Sequence, residues 1–193
     1  MAFAQRTAAR RRRLRPLAAV LLLAVASAHG DTGPLSLEAG RDHYRPYDRL
    51  SWFCLPPDRT PDPETLLSAS ESWPWRTATG EAPNFGFTRD VCWFRFALRN
   101  LDHASKDWVV QLEYAPLADV RFLLRDGNAL VQRYHVGRDF AFDQRPVARA
   151  APAFPLRIPE GESREVLLRV QSPYSLQVPI ELIERDRYHR DSE

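Results

Sequence analysis

The chain has 193 residues with 27 basic and 25 acidic side chains, and 44% of it is hydrophobic. Six of the basic residues and none of the acidic ones fall in residues 1–28, which leaves 21 basic against 25 acidic residues beyond that point, a net charge of −4. A mildly acidic chain lacks the clustered cations that displace counterions from a polyanion, which excludes nucleic acid and anionic lipid surfaces as partners.

The first element is a leader. Arg10 to Arg13 and Arg15 form a basic head, Leu17 to Val25 an apolar run, and Ala26-Ser27-Ala28 a small-x-small cleavage site. This is the pattern of a secretory signal, with an apolar part too short to span a bilayer. Cleavage after Ala28 is expected, with an uncleaved anchor as the alternative; either way the rest of the chain faces the periplasm. About 165 residues then remain, one ordinary domain with volume for its own core. No later apolar run reaches the roughly 18 residues of a membrane span. Residues 29–42 read as a flexible N-terminal segment ahead of a domain over 43–183.

Period-two alternation dominates that domain. Strands are expected at Leu50 to Leu55, Cys92 to Arg99, Trp108 to Tyr114, Val120 to Arg125, Leu130 to His135, Phe154 to Ile158, Val166 to Gln171 and Val178 to Ile183. In most of them the apolar residues take alternate positions, as when Trp108, Val110 and Leu112 interleave with Val109 and Gln111, so each sheet has one face in a core. Phe94, Phe96, Trp108, Val110, Leu112, Phe122, Leu168 and Val170 are the predicted core. Asp126-Gly127-Asn128 lies where a tight hairpin needs positive φ. Short strands without helical crossovers predict an all-β, jelly-roll-like antiparallel sandwich with at most one or two short helices. One helix is expected after Asp62-Pro63-Glu64, which offers an N-cap, a first-turn proline and an acidic first turn. Pro56 to Asn84 is proline-rich and irregular, as a functional loop or a sheet wrapping would be. Residues 184–193 are charged and unpatterned, and read as a frayed tail or linker stub.

Cys54 and Cys92 sit in an oxidising compartment, where they either close a disulfide or remain two buried thiols. The five histidines are scattered without ligand spacing, so no metal site is predicted. There is no Gly-x-Ser-x-Gly elbow, His-Glu-x-x-His or phosphate-cradling glycine loop, so no catalytic residue or cofactor is expected. Aromatics do lie beside arginine, in Trp73-Pro74-Trp75-Arg76 and Trp93-Phe94-Arg95-Phe96. Rings stack on apolar sugar faces and guanidinium forks bind oxygens, a pairing that suits carbohydrates or small anions, although rings on strands more often fill cores. Trp75, Arg76, Arg138 and Arg145 are the candidate ligand residues. Arg145 follows a loop segment and stands near Phe140 and Phe142; the alternative is that it braces the loop against a neighbouring acid such as Asp139 or Asp143.

Asn84-Phe85-Gly86-Phe87, Trp93 through Asn100, Leu112-Glu113-Tyr114 followed by Leu117-Ala118-Asp119-Val120, Gly137 with Arg145-Pro146, and Phe154-Pro155-Leu156 ahead of Leu168 to Ser172 together resemble the type 2 extracellular domain of bacterial 7TMR-DISM proteins, seven-transmembrane receptors with diverse intracellular signalling modules. The resemblance runs from about His43 to Ile183. It implies a jelly-roll sensory domain binding carbohydrates or other small molecules, placed before seven membrane helices and an output such as a diguanylate cyclase or histidine kinase. Where the family reads Gly-Asp, Pro-Phe and Arg-Pro, Gly137, Phe142, Arg145 and Pro146 fit, whereas Arg138 and Ala141 depart. No membrane helix or output module follows Glu193, so the chain is expected to be the sensor end of a receptor, as a fragment, a truncated product or a free-standing copy; its only membrane link is through that missing region. A protein-interaction or homodimerisation module is the alternative, and a secreted carbohydrate-active enzyme a third.

Overall fold

The computed structural model describes residues 33–104 and 106–191; the leader and the cleavage site after Ala28 lie outside the described residues. In chain order the strands are β1 (Leu35–Leu37), β2 (His43–Tyr44), β3 (Ser51–Leu55), β4 (Arg76–Thr77), β5 (Asn84–Phe87), β6 (Val91–Asn100), β7 (Lys106–Leu112), β8 (Asp119–Asp126), β9 (Ala129–Val136), β10 (Ala153–Ile158), β11 (Ser163–Gln171), β12 (Ser175–Gln177) and β13 (Ile180–Glu184). Two short α-helices, α1 (Pro63–Ser68) and α2 (Arg185–Arg190), and three single 3-10 turns, Tyr47–Arg49, Ser70–Ser72 and Phe142–Gln144, complete the set among the described residues.

Alternation builds two sheets that face one another. The larger runs β4-β3-β6-β11-β8-β9 and the smaller β10-β7-β13-β2, with β12-β5 as a separate pair. Pairing is antiparallel except at β1, which lies parallel to the end of β6, Leu35 beside Leu98. Register places the even-numbered residues of three central strands on the inner face, with Leu168 flanked by Phe94 and Phe122. They meet Trp108, Val110 and Leu112 of β7 and Phe154 and Leu156 of β10. Phe122 stacks on Phe154 across the sandwich at 4.8 Å. Every residue predicted for the core is 2% exposed or less. The fold is thus an all-β sandwich.

Two outer layers have no periodic signature in the sequence. On the outer face of the larger sheet, Phe53, Trp93, Leu123 and Leu167 form a second apolar cluster beneath Leu66, flanked by Leu67, Trp73 and Trp75. The irregular Pro56–Asn84 stretch is therefore a cover for a sheet face. It is pinned at one end by α1, whose N-cap Asp62 carboxylate accepts the Thr65 N–H at 2.7 Å. Cys54 and Cys92 stand directly opposite each other on β3 and β6, Cα atoms 4.1 Å apart, and are joined by a disulfide that closes the covering segment into a loop. On the outer face of the smaller sheet, Tyr188 of α2 packs on Val109, Ala153 and Ile183. Arg187 pairs with Asp42 at 2.7 Å and Arg185 with Asp107 at 3.4 Å. The charged end read as a tail is thus a docked helix, held by one aromatic and two ion pairs. Likewise β1 and the buried Leu37 belong to the stretch read as flexible.

Gly127, at φ +54, turns β8 into β9. Gly137, at φ +152, passes so close to the Ala118 carbonyl that an added Cβ would overlap it.

Candidate functional site

β3 carries Trp52 on the core side of the sheet, but its outer partner β4 is only two residues long, so the indole stands at an open corner of the sandwich. The chain after β4 turns through Gly80, at φ +84, and returns as β5, with Pro83 accepting the Val178 N–H at 2.9 Å. That return brings Phe85 edge-on to Trp52, centroids 4.8 Å apart. Between them opens a cleft of about 290 Å³ lined also by Thr77, Thr79, Glu81 and Asn84. Asn84 accepts the Gly86 N–H at 3.1 Å through its carbonyl oxygen, and its NH₂ makes no hydrogen bond among the described residues. Glu81 likewise has no ion pair among them, and it also borders a wider depression of about 520 Å³ walled by Arg45, Tyr47 and Glu181. A ring platform ringed by a carboxylate, an amide and hydroxyls can hold a polyhydroxylated ring by stacking and by hydrogen bonds to its hydroxyls.

The four predicted ligand residues do not share this place. Arg76 is exposed on the rim of the cleft, its guanidinium 5.7 Å from the Trp52 ring centroid. Trp75 turns to the outer layer, edge-on to Phe53 at 4.8 Å, beneath the Arg95 guanidinium at 4.4 Å, with its indole N–H donated to the Ser70 carbonyl at 2.6 Å. Arg138 stacks on Tyr174 at 4.6 Å and lies 3.5 Å from Asp139. Arg145 donates to the carbonyls of Arg149 and Ala150, both at 2.6 Å, and of Gly137 at 3.3 Å, with its guanidinium over Phe142. It braces the loop, through carbonyls rather than the acids Asp139 or Asp143. Trp75 and Arg76 sit at the β4 edge of the larger sheet, while Arg138 and Arg145 follow β9 at its other edge.

The sequence does not reveal Trp52 and Phe85 as a pair, because 33 positions separate them. Phe85 was visible only as part of Asn84-Phe85-Gly86-Phe87. Among the described residues no group of histidine, cysteine and acidic side chains could hold a metal, and no helix is long and apolar enough to cross a membrane.

The family described as 7TMR-DISM extracellular 2 matches residues 51–184. Among solved structures, a Bacillus thuringiensis Cry1Da tryptic core variant is similar at 13% identity over 50% of this chain and 19% of that chain, with a TM-score of 0.30. BtGH115A, a family GH115 4-O-methyl-alpha-glucuronidase with specificity for decorated arabinogalactans, is similar at 17% identity over 54% of this chain and 14% of that one, also with a TM-score of 0.30. The chain spans less than a fifth of either protein, and at those scores neither bears on its ligand. No curated protein matches the sequence.

Proposed function

We propose that this chain, which belongs to the 7TMR-DISM extracellular 2 family, is the small-molecule sensing region of a bacterial receptor, faces the periplasm, and takes a carbohydrate in the Trp52–Phe85 cleft. The observation that carries the ligand assignment is the cleft's composition: two rings at 4.8 Å, with Glu81, Asn84, Thr77 and Thr79 around them. Stacking plus a few directed hydrogen bonds is how a rigid site holds a neutral sugar without reacting with it. The sensing region itself performs no reaction; a diguanylate cyclase or histidine kinase output would lie beyond Glu193. Signalling then requires that the sugar bind two conformations of the domain unequally, since only differential affinity shifts an equilibrium.

The test is a titration with glucose, galactose, N-acetylglucosamine and their disaccharides, read from the Trp52 indole and Asn84 amide signals by NMR. At least one sugar should shift both, and Trp52→Ala should abolish the response. Sugars that leave Trp52 unmoved would remove the cleft from consideration.

A homodimerisation reading has its own observation. Phe87 is 85% exposed, and it lies across β5–β12 from Ser175, next to Tyr174, which is 46% exposed. Sedimentation equilibrium should then show a mass that rises with concentration and returns to the monomer in Phe87→Ser.

A further inference from the structure

Across the outer face of the larger sheet, register sets two arginines and a histidine in one row. Arg169 of β11 lies opposite Arg121 of β8, and Arg121 opposite His135 of β9. Like charges at directly opposed positions repel, so such a row needs anionic compensation. Asp119 supplies part of it, at 3.2 Å from Arg169, 3.3 Å from His135 and a longer 3.8 Å from Arg121. The carboxylate is thus drawn to the two ends of the row. Arg121 is left least served, and its Nε is buried without a hydrogen-bond partner. Burial also holds Arg169 below the ordinary arginine value, against the pull of Asp119, and Arg121 adds to that lowering.

Two residues before His135 on β9, Arg133 stands opposite Leu123, diagonal to Arg121, and its side chain has no ion pair or hydrogen bond among the described residues. Diagonal neighbours lie about 7–8 Å apart at the backbone, within reach of two long side chains converging on one anion. Arg121, Arg133 and His135 wall a groove of about 370 Å³ whose floor and far side are Leu123, Leu130 and Leu67 of α1. Of the two acids near it on the α1 side, Asp62 lies outside the lining, is engaged as the helix cap and also feels the Arg121 charge. The other, Glu64, stands on the α1 wall and has no ion pair among the described residues, so it repels an anion toward β8 and β9.

We propose that this groove is a second ligand site, separate from the Trp52–Phe85 cleft, for an organic carboxylate with a compact apolar body. The carboxylate lies between the Arg121 and Arg133 guanidiniums, whose planar forks match its two oxygens. The apolar body rests on Leu123, Leu130 and Leu67, which excludes a bare inorganic anion as the preferred occupant because it would leave those leucines wet. The site lies on the outer face of the sheet, under a cover tied down by the Cys54–Cys92 disulfide, and needs no residue of the sugar cleft.

The experiment titrates the chain with sodium benzoate, sodium hexanoate, benzyl alcohol and inorganic phosphate, following the His135 and Leu123 amides and the arginine side-chain N–H signals by NMR. Benzoate or hexanoate should saturate those signals in the millimolar range, more tightly than either benzyl alcohol or phosphate. Arg133→Gln, at an exposed position, and Arg121→Gln should each weaken binding about tenfold, the loss of one charge-assisted hydrogen bond. No saturable shift with either acid, equal affinity for benzyl alcohol, tighter binding of phosphate, or unchanged affinity in Arg133→Gln would each overturn the proposal. Because the sugar titration reads at Trp52 and this one at His135, failure of either leaves the other standing.

Discussion

The two faces of the larger sheet are made from the same strands by opposite rules. The inner face is uniformly apolar and meets another sheet, Phe94 and Leu168 packing among Phe122 and Phe154. The outer face is divided: an aromatic and aliphatic cluster of Phe53 and Trp93 on β3 and β6, continued by Leu167 and Leu123 on β11 and β8, lies under the Pro56–Asn84 cover, while Arg169, Arg121 and His135 stand in a basic row across β11, β8 and β9. A core face tolerates only burial. The face behind it can be spent on whatever the covering segment leaves open, and the proposed groove lies where that cover thins to one turn of α1.

The comparison can be broken first from the inside. Phe94 is fully buried in the main core, so Phe94→Ala should cost about 3–5 kcal/mol of unfolding free energy and lower the urea midpoint for both faces at once. A loss under about 1 kcal/mol would mean that the core is not centred there. Next in size is the disulfide. The bridge spans 38 positions, and that loop is the outer cover itself. Replacing both Cys54 and Cys92 by alanine should cost about 2–4 kcal/mol, with hydrogen exchange accelerated in residues 56–75 ahead of β8 and β11. Uniform acceleration across both faces would show that the bridge holds the sandwich and not its cover.

Trp93 sharpens the contrast, since it precedes Phe94 by one position and points to the opposite face. Its indole Nε1 is buried without a hydrogen-bond partner. Trp93→Phe removes that orphan donor along with some packing, so the two effects oppose and the net change should stay within about 1 kcal/mol. A loss of about 3 kcal/mol, as for truncating a core aromatic, would make the outer layer as tightly packed as the inner one.

How much of this was legible follows the same division. Alternation in β6, β7, β8 and β11 reveals the inner face, because each strand is long enough to show a period of two and each inward residue is apolar. β2 and β4 have two residues each and show no period. α2 buries a single apolar residue, Tyr188, so no stripe announces it. The cover is unpatterned because it meets the sheet through a few large side chains at uneven spacing. At the candidate sites the missing information was pairing. Arg145 reads from composition as a free fork beside aromatics, but its partners are backbone carbonyls of Gly137, Arg149 and Ala150, which composition does not show. The row of Arg169, Arg121 and His135 is written in three separate strands and becomes a row only through register.

The smallest expected effect tests the outer face by its titration. Glu165, on β11 beside Arg125 at 3.1 Å, is pushed above the usual carboxylate range by burial, with Arg125 and Arg95 pulling it back and Glu71 pushing further the same way. A carboxyl whose folded value is raised binds its proton more tightly in the native state than in the unfolded chain. Its contribution to stability is therefore greatest below the unfolded value of about 4.3 and declines as pH rises through the higher folded value. Glu165→Gln removes this decline, because glutamine carries no proton to lose. Measured as the difference in urea midpoint between variant and parent at a series of pH values, the variant should gain on the parent as pH rises across the carboxylate range. By neutral pH the gain should be under about 1 kcal/mol, since the partly exposed pair with Arg125 is lost as well. A variant that instead loses ground with rising pH would mean that Arg125 and Arg95 outweigh burial at Glu165, and that the outer face rewards ionised acids even beneath its cover.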